Sequence, residues 1–500
     1  MRGYVNRSVL FSPLRWLSLF FIFCAVILTT LELVSYSRVR TNFPEGMIIA
    51  QIPVGGLDRQ RAAERLLQAF GIPIEVHYGD AVIQIKPAAI DFKLDLDNML
   101  AAADLQRVNQ PFWSGFWDSL WNRPEPNSQV PLRATFSEER LRQFLKDEVA
   151  VRYDQLPSAA LPVPGSVNFN PGKPGTSLDI DRAVTLIADA LYSPTSRKVN
   201  LSYNQTDIPR PIFQNLEILL KQVIDLSQFD GFVELYLTDL QNEQNIHFAY
   251  QAGNTENIPV NIAFSGWSTI KIPVLVSAFR HMSTPPPASA ISLMEKMIER
   301  SDNASTDQLA IEVIDKNLAP LIVSEDMQTL GLVNTFWGGY FAQGSPLLKH
   351  FDTPANMRTD INTGPDPYDQ TTPADLGMLL EDIYQCAQNG GGSLIAAFPG
   401  EITQNECQDM LTFLGKNDIP VLIQSGVPAG TTVAHKHGWA NEFDGLIHTM
   451  GDAAIVYTPG GNYVLAIFIY NKVGVVFNPT NQMVSELSTA VYNYFNIPTQ

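Results

Sequence analysis

Cysteine is scarce in this chain: three residues in 500, with no Cys-x-x-Cys pair. That excludes a small disulfide-stapled domain and argues against a thiolate metal site. Charge is sparse too, at 17% of residues, and it leans acidic: 33 Lys and Arg against 51 Asp and Glu leave −18 at pH 7 with His neutral. So acidic a chain lacks a long basic surface for phosphate backbones, which argues against nucleic acid as a partner. Glycine (32) and proline (34) are too few for a collagen-like chain, and 45% hydrophobic residues exclude a wholly disordered one. At this length two or three domains are expected.

One long apolar run is present. From Trp16 to Leu31 no residue is charged, and after Glu32 the run continues through Leu33 and Val34. This approaches the roughly 20 apolar residues needed to cross a bilayer. Arg2, Arg7 and Arg15 precede it, as in a cleaved signal peptide, but no small-x-small cleavage site follows. Residues 1–15 therefore read as a short tail and 16–36 as a membrane anchor. Arg38 and Arg40 weaken the charge asymmetry, and an N-terminus inside is favoured. The remainder would then lie outside the cytoplasm, single-pass, with Cys24 in lipid. There Cys386 and Cys407 either pair or stay as two buried thiols.

Residues 43–204 contain an internal duplication. Leu57-Asp58, Ala62, Leu66, Ala69 and Phe70 recur at identical spacing as Leu178-Asp179, Ala183, Ile187, Ala190 and Leu191. Apolar residues three and four apart predict a helix with one buried face. Each helix leads into an alternating strand, Ile74–Tyr78 or Val199–Tyr203, and follows a glycine turn, Gly55-Gly56 or Gly172–Gly175. This region resembles the peptidoglycan-binding-type domain that precedes catalytic or VanW-type modules in bacterial surface proteins. The resemblance implies cell-wall contact; a rigid spacer is the other reading. Between the copies, Phe112, Trp113, Phe116, Trp117 and Trp121 either stack on sugar rings or form core. Residues 205–212, rich in proline, read as a linker to a last domain at 213–500.

That last domain opens with a helix near Leu216–Leu226 and two strands, Phe232–Leu237 and Ile246–Tyr250. Then comes Ser268-Thr269-Ile270-Lys271 at the start of an apolar helical run. Residues three apart share a helix face, so the Ser268 hydroxyl and the Lys271 amine can meet. A lysine can accept the serine proton only if burial or nearby cations lower its pKa from about 10.4 towards neutrality. Pro273 cannot donate to the Thr269 carbonyl, so the helix start must be bent or otherwise satisfied. Alone, Ser-x-x-Lys is weak: a chain this size holds roughly one by chance. Here it is followed 33 residues later by Ser301-Asp302-Asn303, and later still by Lys436-His437-Gly438 in a strand-like segment, Val433–Trp439.

Those three motifs in that order resemble the class A β-lactamase and penicillin-binding protein superfamily, with its S-x-x-K, S-D-N and K-T-G signatures. Asp369–Ala374 and Gly426–Gly430 add softer likenesses to the family's D-T-T-T-P and G-[LI]-P-x-G segments. The resemblance implies an α/β (α+β) fold, an antiparallel sheet flanked by helices. It makes Ser268 the nucleophile, Lys271 its base and Ser301 a proton relay. Asn303, Lys436, His437, Gly438 and Trp439 would bind substrate, and the backbone N–H groups of Ser268 and Trp439 would form an oxyanion hole. No cofactor and no metal are implied. The substrate would be a small-molecule β-lactam or a peptidoglycan peptide.

Departures from the family pattern qualify the activity. No glutamate lies between Glu325 and Glu381, where class A enzymes carry the base for deacylation. Asp352, Asp360 and Asp366 lie there instead. His437 replaces a hydroxyl residue, and His435 and His437 would share one strand face, a pattern that invites a metal but lacks a third ligand. The 33-residue gap is short for class A enzymes and resembles β-lactamase-related serine hydrolases on anchored proteins. The expectation is an anchored serine hydrolase, slow to deacylate; the alternative is a cell-wall or penicillin-binding scaffold with a degenerate fold.

Overall fold

The computed structural model describes residues 12–109, 111–123, 128–254 and 257–497. The chain divides into two compact units, Met1–Pro157 with Pro174–Asp207, and Ser158–Lys173 with Ile208–Gln500.

The first unit begins with a helix, Ser12–Val39. Its 28 residues extend about 42 Å at 1.5 Å per residue, more than the roughly 30 Å of bilayer hydrocarbon. The apolar side chains of this helix, Phe20, Phe21, Phe23 and Leu28 among them, are exposed. In the globular part, helices Arg59–Gly71 and Ile180–Leu191 start alike. The Asp58 carboxylate accepts from the Arg61 N–H at 2.8 Å and Asp179 from that of Arg182 at 3.1 Å, each satisfying a helix-terminal donor. The recurring Leu-Asp is thus a helix start. Ala62, Leu66 and Phe70 in one helix, and Ala183, Ile187, Ala190 and Leu191 in the other, are buried. Strands Ile74–Tyr78 and Lys198–Asn200 pair in parallel with Val76 opposite Val199, so the two copies contribute to one sheet. The glycine turn expected before the second helix is different in kind. Gly175 opens a strand, Gly175–Leu178, where a Cβ would collide with Thr206 and Gln155, so glycine permits close packing there and not a turn.

The second unit is built on a five-stranded antiparallel sheet. Its order is Asn245–Gln251, Phe232–Asp239, Tyr463–Tyr470, Thr449–Tyr457 and Thr432–Trp439. One face packs against helices Phe213–Ser227 and Phe477–Phe495 through Leu216, Leu235, Ile467 and Leu487. The other face packs on helices Lys271–His281 and Pro373–Asn389 through Val274, Phe279, Leu380 and Ala453. The fold is the expected mixed α/β one, a sheet flanked by helices. Cys386 and Cys407 form a disulfide, Cα atoms 5.9 Å apart, joining Pro373–Asn389 to Gln404–Leu414. Strand Thr432–Trp439 is an edge of the sheet. Its alternation sends Val433 into the first core and Ala434 into the second, and the pleat carries Lys436 and Gly438 on the Ala434 side.

Candidate active site

Ser268 lies on a short 3₁₀ turn, Trp267–Ile270, and Lys271 opens the α-helix Lys271–His281. The expected single helix is thus split at the motif. The split answers the Pro273 conflict, because Pro273 falls in the first α-helical turn, where an intrahelical N–H bond is not owed. Trp267, just before Ser268, has φ +48°, a left-handed backbone that a tryptophan seldom adopts. Its N–H is held by the Oδ1 of Asp369 at 2.5 Å. Asp369 is buried, and that burial, with Asp366 adding to it, pushes its pKa up to about 8.

Lys271 is fully buried, and its Nζ gathers three of the predicted residues. It lies 2.6 Å from the Ser268 Oγ, 2.7 Å from the Asn303 Oδ1, and 3.1 and 3.4 Å from the carbonyl and hydroxyl oxygens of Ser301. Desolvation first, then the nearby Lys436 cation, holds its pKa well below the usual lysine value. Ser301 has φ +56°, and Asp302 next to it caps helix Asn303–Leu309 by accepting from the Ser305 N–H at 2.7 Å. The left-handed residue and the cap together turn the Ser301 carbonyl towards the amine.

Gly438 brings the edge strand onto the turn that carries Ser268. A Cβ there would lie 2.8 Å from the Ser268 nitrogen and 2.9 Å from that of Thr269, so a larger residue would force strand and turn apart. Lys436 is buried on the same strand, donates to the His437 carbonyl at 3.2 Å, and has its pKa lowered to about 7 by desolvation. On the opposite strand face His437 stacks on Trp439, ring centres 4.8 Å apart. Its Nδ1 lies 3.2 Å from the Asn417 amide nitrogen, which can only donate, so the imidazole proton belongs on Nε2. Burial, then Lys436, His435 and Lys271, push its pKa down to about 2. His437 is therefore a neutral N–H donor across the physiological range. His435 has both ring nitrogens engaged, with Asp452 at 3.0 Å and Gln424 at 2.9 Å, which explains the pair of histidines as hydrogen-bonding groups.

Three contributors were not read from the sequence. Phe341 lies with its ring centre 4.9 Å from Lys271 Nζ. Asp307 places it by accepting from the N–H groups of Phe341 and Ala342 at 3.0 and 2.8 Å. Asp369 was visible only as part of a helix-opening segment. These contacts join residues 34 to 102 positions apart, and no local spacing announces them. Of the aspartates considered for deacylation, Asp352 faces His350 at the surface and Asp360 pairs with Arg358 at 2.7 Å. Asp366 accepts from the Tyr368 N–H at 2.7 Å.

Residues 281–495 match the model of the beta-lactamase enzyme family. The match begins after Ser268 and Lys271 and does not reach the N-terminal repeat. A search of curated proteins finds no match. Among solved structures, PBP-A is 20% identical, with 58% of this chain and 99% of that one covered, at a TM-score of 0.39. A beta-lactamase from Desulfarculus baarsii is 17% identical over 56% and 97%, at 0.40. One from Xanthomonas campestris is 16% identical over 55% and 97%, also at 0.40.

Proposed function

We propose that the chain is a membrane-anchored serine hydrolase of β-lactamase-like fold that opens an amide or β-lactam through an acyl-serine. The observation that carries this reading is the 2.6 Å approach of Ser268 Oγ to a buried Lys271 amine that also reaches Ser301 and Asn303. A neutral Lys271 takes the Ser268 proton as Oγ attacks the carbonyl carbon, giving a tetrahedral oxyanion. The Ser268 and Trp439 N–H groups receive that charge, a stabilisation of about 3 kcal/mol per donor. Collapse breaks the C–N bond, and the leaving nitrogen takes the proton from Lys271 by way of the Ser301 hydroxyl. Asn303 holds the substrate amide. Lys436 attracts a substrate carboxylate, and the strand backbone from His437 through Gly438 to Trp439 completes the binding edge, the His437 and Trp439 side chains stacking on its other face.

Water must then hydrolyse the ester. No glutamate is present in 326–380, and Asp352, Asp360 and Asp366 are engaged with His350, Arg358 and the Tyr368 N–H, which supports slow deacylation. The exposed apolar helix Ser12–Val39 supports the anchor, and the Cys386–Cys407 bond supports an oxidising, extracytoplasmic compartment. Cell-wall peptide is the substrate such a location offers.

A fluorescent penicillin added to the detergent-solubilised chain tests the proposal. A covalent adduct on Ser268 is expected, absent in Ser268→Ala and in Lys271→Ala, with slow loss of label over time. Rapid loss would make the protein an efficient lactamase. No adduct with any acyl donor, from a variant set that stays folded, would leave the scaffold reading.

A further inference from the structure

The aromatic cluster between the repeat copies has a use that neither sugar stacking nor core packing accounts for. Of its members, Phe116 is buried, whereas Trp113, Trp117 and Trp121 are 62%, 53% and 68% exposed. They sit on helix Phe112–Leu120 and its C-cap, four residues apart, so the three indoles and the half-exposed Leu120 form one stripe. Three large exposed aromatics in a row are costly in water and call for a covering partner.

The contacts of this helix name the partner. The ring of Tyr36, in the last turn of helix Ser12–Val39, lies 5.5 Å from that of Phe112 and 5.7 Å from that of Phe116. The Arg40 guanidinium lies 5.1 Å from the Phe112 ring centre. Helix Phe112–Leu120 is therefore packed on the exit end of the apolar segment. Where that segment spans a bilayer, Tyr36, Arg38 and Arg40 lie at headgroup level, and a helix resting on Tyr36 and Arg40 lies at the same depth. Indoles favour that boundary, with the ring in the upper acyl region and the N–H towards water. Arg40, Arg107 and Arg123 line a cleft with Tyr36 and Glu45, Arg123 also pairing with Asp118 at 3.5 Å, which leaves a cationic excess at the depth of lipid phosphates.

We infer that helix Phe112–Leu120 is an interfacial foot whose Trp113, Trp117 and Trp121 insert into the outer headgroup and upper acyl layer of the membrane that the N-terminal helix crosses. The foot rests on the anchor reading above. Its consequence is that the first unit is held against the lipid surface by two elements and not tethered by one.

The full chain, with Cys24→Ser and Trp117→Cys carrying a nitrobenzoxadiazole label, is reconstituted in vesicles of phosphatidylcholine and phosphatidylglycerol. A second preparation carries the label at Leu156→Cys, 91% exposed in the same unit. The label at 117 is expected to emit further to the blue than that at 156. A nitroxide near the top of the acyl chain should quench it more than one near the chain end, as interfacial placement requires, and aqueous iodide should barely reach it. If the protein resists alkaline carbonate extraction but the label at 117 is open to iodide and unquenched by either lipid, the foot is refuted while the anchor stands. If carbonate strips the protein from the vesicles, the anchor and with it the foot are refuted. A response at 117 to solubilised peptidoglycan glycan chains, without lipid quenching, gives the face to sugar and overturns the inference.

Discussion

Replacing Lys436 with Met separates what this residue does for folding from the substrate role proposed for it. The amine is buried, and burial lowers its pKa from 10.5 to about 7. At about 1.4 kcal/mol per pH unit, that amounts to about 5 kcal/mol against the charged form in the native state. Below pH 7 both native and unfolded chains carry the proton, so the penalty is constant. Between about 7 and 10.5 the unfolded chain binds a proton that the native chain does not, so native stability rises with pH across that window. Lys436→Met removes the penalty and also the bond to the His437 carbonyl, worth about 1 kcal/mol. At about pH 6 the variant should be more stable by about 4 kcal/mol, and the gain should shrink steadily above pH 7. Urea unfolding of the full chain in detergent, followed by tryptophan fluorescence at several pH values, measures this. The same variant should acylate more slowly with a carboxylate-bearing donor at pH 6, by about ten- to a hundredfold for a charged hydrogen bond lost. That deficit should narrow above pH 7, where the native lysine itself loses its charge. A stability gap that does not change with pH would refute the reasoning.

Acylation should also weaken on the acid side, because the proposed base Lys271 would act only as the neutral amine, and that form is lost as pH falls through its lowered pKa; stopped-flow labelling across pH checks this limb. Gly438→Ala should cut acylation by about a hundredfold or more while the melting profile survives, since the added Cβ pushes the strand off the Ser268 nitrogen. Asp369→Asn should be well tolerated near pH 6, where the carboxyl is protonated and an amide oxygen can still accept from the Trp267 N–H. Asp369→Ala, by contrast, should cost about 1–3 kcal/mol by orphaning that buried donor, as comparative denaturation will show. Cys386→Ser with Cys407→Ser opens a loop with a sequence separation of 21 and should cost about 3 kcal/mol in a chain-entropy estimate, read from denaturant midpoints.

Much of the candidate site's geometry was legible because the residues that meet around the Lys271 Nζ sit in short motifs. Ser268 and Lys271 are three apart, Ser301 and Asn303 two apart, and Lys436 to Trp439 are consecutive; such spacing survives in one dimension. The two helices that follow Leu-Asp were legible for a similar reason, since each starts on that aspartate and buries residues at matching spacing. The aromatic segment was not: its pattern is helical, but whether an indole is inside or outside depends on what packs around Phe116 and Tyr36. Asp369, Asp307 and Phe341 were invisible as site residues because their partners are distant in the chain.

Sequence alone determined which functional groups are present, the order in which the motifs follow, and the long apolar run near the N-terminus, since each is a property of neighbours along the chain. Tertiary structure decided the rest: the dehydration that lowers Lys271 and Lys436, the tautomer of His437, the Cys386–Cys407 bond and the exposure of the three indoles. Those depend on which distant segments exclude water from a group, and water exclusion is a property of packing.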